Sequence, residues 1–171
     1  MGRQPGALTL SEDDRRVLAA WAADSAERTL PLFETNAPGD LRPREAIDGL
    51  RAFARGELRI GPARALAVAA HAAARDVGSP AAVAAARAAG HAVATAHMAS
   101  HARGVPAYAS IAAGLAAPED PSVAANEVTW AIEHASPAVR DILRKLPAPP
   151  HGAGKLGAAI ERLHAAVAAG S

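Results

Sequence analysis

Apolar positions along the chain recur at three- and four-residue intervals and nowhere alternate, so helices are predicted from end to end. The densest run, Ala81 to Ala117, is mostly alanine, and its central part is broken chiefly by Arg87, Gly90, His91, His97 and His101. Alanine is the best helix former. It buries little area per residue, so an alanine helix is stable only where its neighbours come close. Polar side chains within such a run therefore lie near or inside helix packing, as structural hydrogen-bonders or as a site.

Punctuation divides the pattern. Ser11 is a predicted N-cap, followed by Glu12, Asp13 and Asp14 at the positive helix end. That helix runs to about Leu30, with Pro31 in a bend or a new first turn. A second helix follows the turn-rich stretch 36–40, carries Pro43 in its first turn and stops at Arg55-Gly56. A third opens at Gly61-Pro62 and continues to Val77; Gly78-Ser79-Pro80 is a break with Ser79 as the next cap. Gly104-Val105-Pro106 kinks or splits the alanine run. After the loop Pro118–Pro121, Ser122 is expected to cap another helix, and Pro137 to open a short one ending near Leu146. The expected organisation is an all-α, single-domain compact bundle of about seven helices. Its parts are a flexible N-terminus over 1–10, a helical domain over 11–146, a Pro/Gly-rich linker over 147–154 and a C-terminal helix over 155–171 packed on the same domain.

Composition narrows the function classes. Aromatics make up only 3% of the 171 residues, so Trp21, Phe33, Phe53, Tyr108 and Trp130 are the large anchors of an otherwise small-residue core. Eighteen basic and seventeen acidic residues leave a net charge of +1, which gives no footprint for nucleic acid. The absence of cysteine removes disulfides, thiolate metal sites and a cysteine nucleophile. No long apolar stretch marks a signal peptide or a membrane span, and a cytoplasmic location is expected.

The candidate chemistry is sparse. His97 and His101 are four apart and share a face of a continuous helix, next to Gly90 and Ala94. They are the metal-ligand candidates, but Met98 stands where a zincin motif needs glutamate, and no carboxylate occurs from Val77 to Ala117. Two histidines hydrogen-bonded at a helix interface is the preferred reading, and no cofactor is expected. His91 points elsewhere, beside Arg87, Thr95 and Met98. Asp24 and Arg28 are spaced for an i,i+4 pair, exposed or partly buried. Glu127, on one stripe with Trp130 and His134, reads as a polar residue at an interface edge or as a carboxylate with catalytic use. Gly152-Ala153-Gly154-Lys155 fails as a phosphate loop because Leu156 replaces Ser/Thr and no strand precedes it.

Three stretches together resemble a known family. They are Trp21-Ala22-Ala23-Asp24-Ser25-Ala26-Glu27-Arg28 through Phe33-Glu34; Asp40-Leu41-Arg42-Pro43-Arg44-Glu45-Ala46-Ile47; and Arg87-Ala88-Ala89-Gly90-His91-Ala92 through Ala96-His97. This pattern is similar to the Imm-five-like putative immunity proteins of bacteria, common in actinobacteria, over roughly residues 10 to 117. The Asp-x-Arg-Pro-Arg-x-Ala-Ile stretch is its most specific part. The resemblance implies a protein that binds and neutralises a partner toxin. It also implies that Asp24, Arg28, Asp40, Arg42, Arg44, Arg87, His91 and His97 belong to one polar network, joining helices or lining a pocket. The alternatives are a ligand-binding protein or enzyme built on that cluster, and a helical scaffold. Tyr108 and Trp130 are the large side chains the core can most readily spare for a partner surface. Oligomeric state is left open.

Overall fold

The computed structural model describes residues 10–170; the flexible terminus expected over 1–10 lies outside them except for Leu10, which is buried. The described residues form nine α-helices and one 3₁₀ turn: α1 Glu12–Glu27, α2 Leu30–Asn36, α3 Arg42–Ala54, α4 Ile60–Asp76, α5 Pro80–Ala94, the 3₁₀ turn Ala99–Arg103, α6 Gly104–Ala116, α7 Pro121–Glu133, α8 Pro137–Lys145 and α9 Gly154–Ala169. The fold is all-helical. The larger number of helices arises where predicted long ones divide.

The first predicted helix ends at Glu27, and Pro31 sits in the first turn of a separate α2, where its missing N–H is harmless. The alanine run divides at residues 95–98, upstream of the Gly104-Val105-Pro106 position expected to split it, and Pro106, with no N–H to give, is accommodated in the first turn of α6. The chain leaves α5 at Ala94, turns through residues 95–98 and restarts as α6 at Gly104. His97 and His101 therefore lie on different elements, and the shared helical face expected for them does not exist. Ser11 and Ser79 cap α1 and α5 as anticipated. The cap of α7 is Asp120, whose carboxylate accepts from the Ser122 N–H and hydroxyl, and not Ser122 itself.

The helix α5 is the centre of the molecule. Ala82, Ala85, Ala86, Ala88, Ala89, Ala92 and Val93 are fully buried, and the helix packs against α1, α2, α3, α4 and α6. The larger side chains fill the spaces around it: Leu18, Trp21, Leu30, Ile47, Leu50, Phe53 and Val105 on one side, Phe33 on the other. Trp21 satisfies its indole N–H on the Ala131 carbonyl at 2.9 Å, joining α1 to α7. The last helix, α9, packs on α6, α7 and α8 through Gly157, Leu163 and Val167. Among the described residues no helix is long and apolar enough to cross a membrane.

Arginines close several helix ends. Arg140 donates to the Ile132 and Ala135 carbonyls at the end of α7, and Arg144 to the Val167 carbonyl near the end of α9. Arg103 is only 4% exposed, and its guanidinium donates to the carbonyls of Leu143 at 2.9 Å, Leu146 at 3.2 Å and Pro147 at 2.5 Å. The carbonyl end of α8 thus supplies the negative pole that holds a buried cation. Replacing Arg103 with Met keeps most of the stem and strands those carbonyls. Loss of such charge-assisted bonds is expected to cost about 3 kcal/mol in urea unfolding; a loss under about 0.5 kcal/mol would show that the end of α8 is satisfied without it.

Candidate functional site

The polar residues in and around the alanine helices converge on one place. His71 of α4, Arg87 and His91 of α5, His101 of the 3₁₀ turn and Tyr108 of α6 form a half-buried cluster, with His97 at its edge. The His91 ring is the hub. It meets His71 edge-on at 5.4 Å between centroids, His101 at 4.9 Å and Tyr108 at 4.8 Å. The His97 ring lies 5.8 Å from that of His101. The Arg87 guanidinium reaches His71 Nδ1 at 3.2 Å.

Two glycines make room for these rings. A Cβ on Gly90 would stand 2.5 Å from His71 Cε1, and one on Gly104 would stand 2.8 Å from His91 Nδ1. Both distances are well inside van der Waals contact, so each glycine is the seat of one imidazole. The sequence places Gly90 in a small-residue packing stripe; the structure shows that its partner is a histidine from α4. His71 was not among the residues singled out from sequence. Its only signal was a lone histidine in an alanine helix, and only the α4–α5 pairing gives it neighbours.

The cluster is basic in residue type, yet its burial works against protonation of its rings. Burial pushes the His91 imidazole down to about 3, helped by the positive charge that His101, His71 and Arg87 bring near it. Burial also lowers His71, His97 and His101; Arg87 adds to the effect on His71, and Arg64 to that on His97. His91 and His101 approach Nδ1 to Nδ1 at 3.2 Å, which requires one N–H and one lone pair. Among the described residues no three His, Cys, Asp or Glu side chains are placed to hold one metal ion.

The remaining residues of the expected single network fall into separate groups. Asp24 does not pair with Arg28. Arg28, the C-cap of α1, reaches across to α7, where it binds Glu127 with both ends of its guanidinium, at 2.7 and 3.1 Å. The same guanidinium lies 4.6 Å from the Trp130 ring, which stacks on His134 at 4.1 Å. Asp24 pairs instead with Arg51 at 3.0 Å, and Arg51 also holds Glu27 at 2.5 Å. Arg44 joins Glu34 at 2.5 Å and Glu27 at 3.6 Å, tying α3 to α1 and α2. Arg42 bridges Asp40 at 2.6 Å and Asp76 at 2.9 Å, tying α3 to the end of α4, and holds the Asp40 carboxyl below the usual carboxylate range. Of the eight residues grouped from sequence, Arg87, His91 and His97 share the histidine cluster and Asp40 pairs with Arg42, whereas Asp24, Arg28 and Arg44 find partners outside the eight. Tyr108 packs on His91 and Trp130 between Arg28 and His134; both are half-buried.

Residues 8–138 match the model of the family described as Imm-5 like putative immunity protein. The chain belongs to this family. The match reaches past the stretch ending at Ala117 to include α7, so the Arg28–Glu127 pair lies wholly within the immunity-family region, whereas α9 lies outside it. No curated protein and no solved structure matches this immunity-family chain.

Two outcomes follow for its stability. In the unfolded chain the imidazoles take up protons near pH 6.5, whereas the folded cluster resists them, so the unfolded state binds more protons below that pH. Thermal stability is expected to hold from pH 8 to about 7, then to fall as pH drops from about 6.5 to 5, above the range where carboxylates titrate. His91→Gln should flatten that fall; an unchanged slope would place its cause outside the cluster. The second outcome concerns the ion pairs. The Glu127 side chain is 10% exposed, whereas Arg44 and Glu34 are 39% and 34% exposed. Arg28→Ala is expected to cost about 2 kcal/mol and Arg44→Ala under about 1 kcal/mol in denaturant unfolding; the reverse order would contradict the burial argument.

Proposed function

We propose that this chain neutralises a partner toxin by binding it. The observation that carries the reading is the match of residues 8–138 to an immunity-protein family. The chemistry of the fold is in keeping with it. Ser100, the serine beside His101, lies exposed in the 3₁₀ turn, in none of the strand-to-helix geometry that activates a nucleophilic serine. Glu127 is engaged by Arg28 rather than free to move a proton. Burial holds His71 and His91 against protonation, and their rings rest on Gly90 and Gly104 with no room for a methyl group between.

The competing reading is a small-ligand pocket built on the histidine cluster. A concavity of about 530 Å³ does exist, but it lies between α6, α7 and α9, lined by Ile111, Leu115, Pro118, Ala124 and Val128, away from the cluster. The binding reading therefore stands ahead.

The test is co-expression with any toxin gene that lies beside this one in its native genome. Growth is expected to be restored by the intact chain, and the two proteins should co-elute on size exclusion. If growth is not restored, and no complex forms with the purified toxin, the reading fails.

A further inference from the structure

The near-neutral net charge conceals a segregation. From Leu58 to Pro118 the chain carries a single carboxylate, Asp76, of its seventeen acidic residues. Over the same span it has Arg59, Arg64, Arg75, Arg87 and Arg103, with four of the seven histidines. This span is α4, α5, the 3₁₀ turn and α6, which pack side by side. Asp76 is turned to Arg42 of α3, so it does not offset the arginines of the outer surface.

One face of this region is laid out for contact. Arg64, Val68, His71 and Arg75 follow the i, i+4, i+7, i+11 spacing and form one stripe of α4. The helices α4 and α5, joined by residues 77–79, run as an antiparallel hairpin, which sets His71 against Arg87 and Gly90. Farther along the pair, Arg64 is near enough to His97 to oppose its protonation. Val68 lies between these two points. It is 64% exposed, and Met98, next to His97, is 53% exposed. Large apolar side chains held in water within a ring of cations and neutral imidazoles have the anatomy of an interface centre with a polar rim. The arginines here are not consumed by carboxylates: Arg75 donates to the His71 carbonyl and Arg87 contacts the His71 ring.

We propose that this face of α4, with Arg87 and Met98 beside it, is the docking surface for an acidic protein partner. Val68 and Met98 form its apolar centre, and Arg64, Arg75 and Arg87 meet the partner's carboxylates. The proposal rests on the reading that the chain acts by binding a protein, and it names the chemistry of that protein's surface. Charge complementarity selects the partner: a surface short of acids and furnished with fixed guanidinium groups and imidazole N–H donors repels basic partners and attracts acidic ones. The exposed Val68 and Met98 favour a protein over a nucleic acid, whose phosphates gain nothing from apolar contact.

The probe is a synthetic peptide with two central leucines flanked by glutamates, titrated into the full chain and followed by backbone amide NMR shifts. The shifts are expected at Arg64, Val68, Arg87 and Met98, with affinity falling as salt rises. The double charge reversal Arg64→Glu/Arg75→Glu, at two exposed positions, should weaken binding about tenfold; Lys155→Glu/Arg162→Glu, at the α6–α7–α9 groove, should leave it unchanged. Saturable shifts at the α6–α7–α9 groove instead, no saturable shifts at all, or tighter binding of an oligothymidylate to the same face would overturn the proposal. The same charge reversal is then carried into the toxin co-expression assay. If the intact chain fails to restore growth, the immunity reading falls while the peptide map still decides the surface. If the charge-reversed chain protects as fully as the intact one, the docking surface falls and the immunity reading stands.

Discussion

The constraint on which the whole fold depends is the close approach that alanine demands. The helix α5 carries only small residues and one valine on its buried sides, so it gains stability only if five other helices come near its backbone. Nothing large can be interposed. The bulky residues are displaced to a second ring, where Phe33, Phe53, Trp21 and Leu50 fill the gaps between the surrounding helices. The same closeness dictates where an imidazole can go. His71 and His91 lie over Gly90 and Gly104 because even a methyl group in either place would overlap the ring. The histidine cluster is thus a product of the packing, and its depressed protonation follows from the burial that the packing imposes.

Electrostatics then organises what the core leaves over. Arginine supplies nearly all the cations, and it is used in two ways. In the first half of the chain it joins helices through carboxylates: Arg42, Arg44 and Arg51 tie α3 to α1, α2 and α4. In the second half Arg103, Arg140 and Arg144 meet backbone carbonyls at helix ends, where the planar five-donor group can satisfy two or three acceptors at once. Arg28, binding Glu127, connects the two halves. Carboxylates are therefore concentrated where the ion pairs need them, and α4, α5 and α6 are left almost without any. A face poor in acid and rich in guanidinium and imidazole is the residue of this division of labour, and it gives the molecule a surface of definite sign despite a net charge of +1.

Membership of an immunity-protein family and the character of that face point in the same direction. A protein that acts by occupying its partner needs rigid placement of a few exposed side chains more than it needs a reactive group. The antiparallel α4–α5 pair supplies that rigidity, since its inner side is fixed by alanine packing and its outer side carries Arg64, Val68 and His71 in one line. The tail helix α9, outside the family match, covers α6 and α7 on another side and forms the wall of the apolar groove there.

The sequence by itself determined the helical class, most helix starts and the family. These are local properties: alanine propensity, Ser11 and Ser79 as caps, prolines in first turns, and a motif contiguous in the chain. A break in the alanine run was expected at Gly104-Val105-Pro106, but the helix stops earlier, at residues 95–98, because where a helix stops depends on what the freed turn can pack against. Only the tertiary structure decided which polar residues meet. Asp24 and Arg28 are ideally spaced for each other, yet Arg51 takes Asp24, and Glu127, 99 residues away in the chain, takes Arg28. His97 and His101 lost their common face where α5 stops, and His71 acquired a role only when α4 folded back on α5. Side-chain partners in a small-residue bundle are set by the approach of backbones from distant parts of the chain, and spacing along one helix carries no information about that approach.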